Sequence, residues 1–213
     1  SLDLTVSDLT SEQEEYSEAY SVLEERLENV QATLKEIEDD QVSVSERLVQ
    51  IEKDDVNARQ KANVFVNRLH TITRYMEKRN LPGIPQNFLK LFFAASHSTE
   101  DLMAELEQSQ VNIESVNRIL EIASHDMEVL ETETYSIVQY ATLTEQLLQY
   151  SNRYRSFDEG IQQAFHESLE IFENAFDYQA SFEKISQALE VAEPGVTNRF
   201  VSSYEKTRET IRF

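Results

Sequence analysis

The chain contains 213 residues, with a large acidic excess and very few turn-forming residues. Three glycines and three prolines argue against a turn-rich β-sandwich or barrel. The absence of cysteine excludes disulfide bonds, thiolate metal sites and a cysteine nucleophile. A formal net charge of −21 makes nucleic-acid backbones and anionic membranes unfavourable partners, so we expect no nucleic-acid partner.

The first predicted element is a long helix with a heptad repeat. Apolar side chains recur at alternating spacings of four and three residues from Tyr16 to Met76, and only Gln41 and Asp55 break the pattern. A narrow apolar stripe of this kind is buried only against another helix. We therefore expect one helix over residues 11–79, about 100 Å long at 1.5 Å per residue, whose stripe is covered by other helices.

Local signals predict the ends of this helix. Ser11 with Glu14 three residues later is a capping-box pattern that predicts the start. Two prolines and a glycine in residues 80–85 predict the end. A hairpin near residues 38–41 is the alternative. The heptad register crosses those residues without glycine, proline or a phase slip, so the sequence favours a continuous helix.

Charge is distributed unevenly along the chain. Residues 11–55 contain fifteen acidic and four basic residues, whereas residues 56–90 contain seven basic residues and one acidic residue. Residues 91–133 contain ten acidic residues and one basic residue. Because helices of opposite charge are favoured as neighbours, we expect the basic stretch to lie beside residues 91–133. An acidic partner protein for the basic stretch is the alternative.

Two further long helices are predicted after the proline- and glycine-containing break at residues 80–85. Ser98 with Asp101 resembles an internal cap, which predicts a kink near His97 in the second helix. Asn112 is a candidate N-cap for a third helix that reaches Tyr154. Three long helices joined by short connections predict an antiparallel bundle. The predicted apolar stripes are Phe88, Phe92, Ala95, Leu102 and Leu106 in the second helix, and Val116, Leu120, Ala123, Met127, Leu130, Ile137, Ala141 and Leu148 in the third.

The last sixty residues predict short helices. Ser156 with Glu159 is another capping box, Asp177 is a candidate cap for the next helix, and residues 193–195 end that helix. We expect these helices to close the bundle as a small cap; a single tetratricopeptide-like hairpin is the alternative. A final amphipathic helix is predicted to contain Phe200, Val201, Tyr204 and Ile211.

The predicted fold class is all-α: an elongated, spectrin-like antiparallel three-helix bundle with a very long first helix and a small helical carboxyl-terminal cap. We predict a projecting coiled-coil arm over residues 1–52, a three-helix repeat over residues 53–155 and a short-helix bundle over residues 156–213. The arm is expected to belong to a preceding repeat, or to pair antiparallel with a second copy through residues 16–51.

No arrangement of residues typical of catalysis is present in the sequence. The four histidines are scattered, without the spacing of di-iron or zinc motifs, and no Walker loop or G-x-S-x-G motif is found. The many carboxylates have the spacing of a solvated helix face. We therefore expect a non-enzymatic protein with no metal and no cofactor.

One segment combines amide and guanidinium groups in this acidic chain. In the predicted third helix, Gln149, Asn152 and Arg153 share one face, opposite an apolar stripe that begins at Leu143. Arginine is enriched at protein interfaces, and amides give directional hydrogen bonds. We take Gln146, Gln149, Asn152 and Arg153 as a candidate protein-interaction site, the amide–arginine patch. An ordinary polar helix face is the alternative.

Three segments resemble a known family: residues 74–85 (RYMEKRNLPGIP), residues 143–155 (LTEQLLQYSNRYR) and residues 188–195 (ALEVAEPG). Together they are similar to the EzrA family of septation ring formation regulators of low-GC Gram-positive bacteria, and to its streptococcal members in detail. Heptad periodicity does not require prolines, glycines and amides at these places, so the segments are specific. The resemblance covers the chain from about residue 60 onward.

The resemblance implies a cell-division protein. Members of the family have an amino-terminal membrane helix and a cytoplasmic rod of spectrin-like repeats, restrain assembly of the tubulin-like protein FtsZ away from midcell, and join the division machinery at the septum. This chain would be an excised carboxyl-terminal part of the rod, with FtsZ and other division proteins as partners and a membrane anchor outside it. The family's patch for midcell recruitment corresponds to Gln149, Asn152 and Arg153. A purely structural spacer or dimerisation rod is the alternative.

Overall fold

The chain is almost entirely helical. The computed structural model describes residues 2–208, with side chains from residue 5 onward, and no β-strand occurs in that range. This result confirms the predicted all-α class with a long first helix. The described helices are α1 (Leu2–Lys78), α2 (Gln86–Leu106), α3 (Ile113–Tyr150), a 3₁₀ turn (Ser151–Arg153), α4 (Glu159–Glu170), a π-helical turn (Ile171–Ala175), α5 (Tyr178–Ala192) and α6 (Val196–Thr207).

The first helix begins earlier than the capping signal predicts. It starts at Leu2 rather than at Ser11, and its backbone is helical through residues 38–41, so the hairpin alternative is wrong. A capping box starts a helix only where the preceding residues leave the helical conformation. Residues 2–10 contain neither glycine nor proline, and nothing in that segment interrupts the helix.

The chain divides into two compact units, Ser1–Lys53 and Asp54–Phe213. In the first unit the heptad seam is exposed, with 48–76% of each side chain's reference area accessible. No second helix covers this seam within residues 5–53. We call it the arm seam: Tyr16, Tyr20, Leu23, Leu27, Val30, Leu34, Ile37, Val44 and Leu48.

The second unit contains a three-helix bundle made by residues 54–78 of α1 together with α2 and α3. Asn117 donates to Asp54 at 3.1 Å, and Arg68 lies 3.2 Å from Glu131. Both pairs have the same offset of 63 residues, so α3 runs parallel to this part of α1, and α2 returns between them. The Arg68–Glu131 ion pair agrees with the predicted attraction between the basic stretch and residues 91–133.

The predicted stripes form the core of this bundle, except for Leu148, which lies in a second core near the end of α3. All eight stripe residues of α3 are buried, and in α2 only Phe92 is half-buried. Burying one large apolar side chain contributes roughly 1.5–3 kcal/mol, so these side chains supply most of the stability of the bundle. From α1 the core includes Ala58, Ala62, Phe65, Ile72 and Met76.

The turn between α1 and α2 is fixed by contacts with the chain's last third. Asn80 adopts a left-handed conformation with φ 48° just after α1, and α2 begins directly after Pro85. The Tyr178 hydroxyl donates to the Gly83 carbonyl at 2.6 Å. A Cβ atom on Gly83 would lie 2.4 Å from the Phe176 ring, so glycine is needed for this close approach.

The internal cap predicted at Ser98 in α2 is wrong. Helix α2 is continuous through Ser98, whose hydroxyl donates to the carbonyls of Ala94 and Ala95 in the preceding turn. A serine that bonds backward in this way stays inside a helix instead of capping a new one. The predicted N-cap of α3 is confirmed, since the Asn112 side chain accepts from the amides of Glu114 and Ser115.

The carboxyl-terminal helices pack against the end of α3 around a second core. Asp177 caps α5 as predicted, but the cap of α4 is Asp158, which accepts from the Ile161 amide, and not Ser156. Of the predicted final helix, Ile211 lies outside the described residues. The second core comprises Leu147, Leu148, Ile161, Ala164, Ile185, Leu189 and Val196.

Candidate protein-interaction site

The amide–arginine patch lies where α3 ends. Gln146 and Gln149 belong to the last turns of α3, while Asn152 and Arg153 belong to the following 3₁₀ turn. All four side chains are exposed. The prediction that the third helix reaches Tyr154 is wrong, because the α-helix ends at Tyr150. The chain then tightens into a 3₁₀ turn, which is common at helix ends.

Two patch side chains are held by neighbouring groups. The Arg153 guanidinium lies 4.5 Å from the centre of the Tyr150 ring, in the geometry of a cation–π contact. The Asn152 side-chain oxygen accepts a hydrogen bond of 3.0 Å from Arg155. Arg155 in turn stacks on Phe165, 3.6 Å from the ring centre. Asn152 and Arg153 are therefore held in place at the surface.

The opposite face of the same segment is anchored to the carboxyl-terminal helices. Tyr150 and Tyr154 both donate hydrogen bonds to one carboxylate oxygen of Glu193, at 2.5 and 2.6 Å. Arg199 of α6 lies 3.1 Å from the other oxygen and donates to the Tyr150 hydroxyl at 3.0 Å. We call these four residues the tyrosine–Glu193 cluster. It fixes the ring on which Arg153 rests.

The cluster stabilises one protonation state of its members. The hydrogen bonds from Tyr150 and Tyr154, with a further contribution from Arg199, lower the pKa of Glu193 to about 2. The hydrogen bond to Glu193 raises the pKa of Tyr154 to about 12. The carboxylate therefore remains ionised and the phenol remains protonated over most of the accessible pH range.

Sequence reasoning did not predict this cluster. Glu193 lies 43 residues after Tyr150 and 39 after Tyr154, and no periodic pattern connects such distant positions. The available signal was the resemblance itself. Its second segment contains both tyrosines, and its third segment contains Glu193, so two of the three recognised segments meet in one hydrogen-bonded cluster.

Residues 2–208 contain no group of three or more histidine, aspartate or glutamate side chains that could hold a metal ion. In the same range, none of the helices combines the length and the apolar character needed to span a bilayer.

Comparisons with known proteins identify relatives over the whole chain. The family model described as septation ring formation regulator, EzrA, matches residues 1–204. Curated relatives with that name from Streptococcus pneumoniae strains Hungary19A-6, G54 and D39 are each 78% identical over all 213 residues. The chain spans 37% of the length of these relatives. No solved structure matches it. The chain therefore belongs to the EzrA family of septation ring formation regulators.

Proposed function

We propose that the chain is a non-enzymatic part of a membrane-anchored division regulator, recruited to the septum through the amide–arginine patch, where the protein restrains assembly of the FtsZ ring. Membership of a family of septation ring regulators supports the role in division. The observation that carries recruitment is the exposure of all four patch residues on a segment whose inner face is fixed by Glu193.

The proposal also assigns roles to the three parts of the chain. Residues 53–155 would form a spectrin-like repeat, residues 1–52 would belong to a preceding repeat, and residues 156–213 would cap the rod at its carboxyl end. The capping helices would serve the patch directly, because Glu193 and Arg199 lie in or beside them and hold the end of α3. In this arrangement the protein acts through the length of its rod and through the binding surface that the patch provides.

Alanine at Gln149, Asn152 and Arg153 together is expected to abolish septal recruitment while leaving the helices intact. The measurement uses a fluorescent chimera in which this chain replaces the matching segment of the pneumococcal relative, which is 78% identical. The unaltered chimera should locate at midcell and restore a single FtsZ ring in cells that lack their own protein. The triple variant should be dispersed along the membrane.

A matched control separates recruitment from a general loss of surface polarity. Gln60, Asn67 and Arg74 are the same three residue types, all exposed and spaced seven residues apart on one face of α1. Alanine at these three positions should leave midcell location unchanged. Normal location of a folded patch variant would remove the patch from the proposal.

A second candidate function, a dimerisation rod, is favoured by the exposed arm seam. Nine large apolar side chains at heptad positions form a stripe that a second helix could bury. An antiparallel partner copy would cover residues 16–51 without any dedicated recognition site. In that case the chain would serve chiefly as a spacer that joins two rods.

Glutamate at Leu27 and Leu34 is expected to convert a dimer into a monomer, since it places charges in the seam. Sedimentation equilibrium of the full chain measures the change. Glutamate at Asn29 and Ala32 adds the same charge to the same stretch, away from the seam, and should leave the dimer intact. A chain that sediments as a monomer before any substitution would contradict this candidate.

A further inference from the structure

The amide–arginine patch continues into a second arginine and an exposed aromatic ring. Phe157 is 72% exposed, and its ring centre lies 5.9 Å from that of Tyr154 in an edge-to-face arrangement. Arg155 lies between the patch and Phe157 in the sequence and is bonded to Asn152. Arginine and exposed aromatic side chains are the residue types most enriched where binding energy concentrates.

The segment that carries this surface contains no carboxylate, although the chain as a whole is strongly acidic. From Gln146 to Phe157 the sequence contains two arginines and no acidic residue, against a net charge of −21 for the whole chain. An acidic segment of a partner is therefore attracted here, as it is by the basic stretch of residues 56–90, and is repelled by the acidic remainder of the surface.

The polar groups of the surface act chiefly as hydrogen-bond donors. The Asn152 side-chain oxygen accepts one hydrogen bond from Arg155, and the NH₂ group of this exposed amide can donate to a partner. The guanidinium groups of Arg153 and Arg155 donate and never accept. Both are stacked on aromatic rings, at 4.5 and 3.6 Å from the ring centres. Such pre-organised guanidinium groups match the two oxygens of a carboxylate and lose little entropy when they bind it.

We propose, on the basis of the recruitment role assigned above to the amide–arginine patch, that the patch, Arg155 and Phe157 together bind an acidic peptide segment of a partner protein that also carries a large apolar side chain. Two carboxylates of the segment pair with Arg153 and Arg155. The apolar side chain packs on Phe157, and the amides of the patch bond the backbone of the segment.

A peptide selection tests the chemistry of the partner without assuming its identity. A phage library with twelve randomised positions is selected on the full chain, after depletion on a chain with alanine at Arg153, Arg155 and Phe157. The expected result is enrichment of peptides that contain at least two aspartates or glutamates and one large apolar residue. Enrichment without acidic residues, or no enrichment over the depleting variant, would overturn the proposal.

Affinities of the enriched peptide then assign the contacts. By fluorescence anisotropy, R153A and R155A should each weaken binding about 10-fold or more, and F157A about 5-fold or more. Lysine at Arg153 should restore only part of the lost affinity, because its ammonium group lacks the planar pair of N–H donors that a guanidinium offers to a carboxylate. Alanine at the exposed Arg74 and at Phe93, which is 66% exposed, should leave binding unchanged. Equal loss in these controls would show non-specific attraction and contradict the assignment.

The outcome can be separated from that of the recruitment experiment. Loss of septal location in the patch variant without acidic enrichment would leave recruitment standing and remove only the acidic partner. If the chain captures acidic peptides but its patch variant still locates at midcell, the acidic binding site stands and the recruitment role of the patch is removed.

Discussion

Alanine at Leu147 is expected to lower the free energy of unfolding of the second unit by about 2–5 kcal/mol. Leu147 is fully buried in the second core, where α3 meets the carboxyl-terminal helices. The truncation removes apolar contact area and leaves a cavity that Ile161, Ile185 and Leu189 can fill only partly. Because the patch residues lie within six positions of Leu147 in the sequence, they should lose their anchorage at the same time.

Urea unfolding followed by near-ultraviolet circular dichroism measures this loss, since seven of the nine tyrosines lie in the second unit. The matched control is alanine at Leu34, the same substitution at a site that is 54% exposed in the first unit. At concentrations where the chain is monomeric, the control should change the midpoint little. A similar loss in both variants would mean that Leu147 is not a core residue.

The sequence predicted most of the described helices because their apolar residues repeat regularly. The stripe positions of α3 are buried without exception, and Asn112 and Asp177 cap their helices as expected. These features depend on residues within four positions of one another, which a local pattern can capture. The four patch residues are exposed, as their spacing opposite an apolar stripe indicated.

Competition between equally good local signals explains part of what was missed. Ser156 and Asp158 are both favourable caps, and backbone hydrogen bonds that continue from Ser151 and Tyr154 into residues 155–158 delay the start of α4 until after Asp158. The left-handed Phe176, with φ 57°, has no sequence signal, because a bulky residue rarely adopts that conformation. Its ring is held against Gly83, 93 positions earlier in the chain, which no local pattern reports.

Glutamine at Glu193 is expected to lower the free energy of unfolding. The stabilisation that it removes is present only between an acidic and an alkaline pH limit. The pKa of Glu193 is about 2 in the folded chain against an ordinary value of 4.5, so its contribution is complete above pH 4.5 and disappears as the pH falls towards 2. The pKa of Tyr154 is raised from 10 to about 12, so its contribution is complete below pH 10 and disappears as the pH rises towards 12. The stability difference between the wild-type chain and E193Q should therefore be constant between these limits and shrink at both ends.

Two controls identify the hydrogen bond between Tyr154 and Glu193 as the cause. Phenylalanine at Tyr154 should reduce the alkaline limit and keep part of the acidic one, because Tyr150 still donates a hydrogen bond to Glu193. Glutamine at Glu167, whose pKa is lowered by bonds to Lys184 and Gln163, should leave the alkaline limit unchanged, since no tyrosine donates to it. Tyrosinate absorbance at 295 nm gives a direct measurement: Tyr154, identified by comparison with the Y154F variant, should titrate near pH 12 in the wild-type chain and nearer 10 in E193Q. Identical titrations of the two chains would show that Glu193 does not hold the end of α3 through its tyrosines, and the patch would then need another anchor.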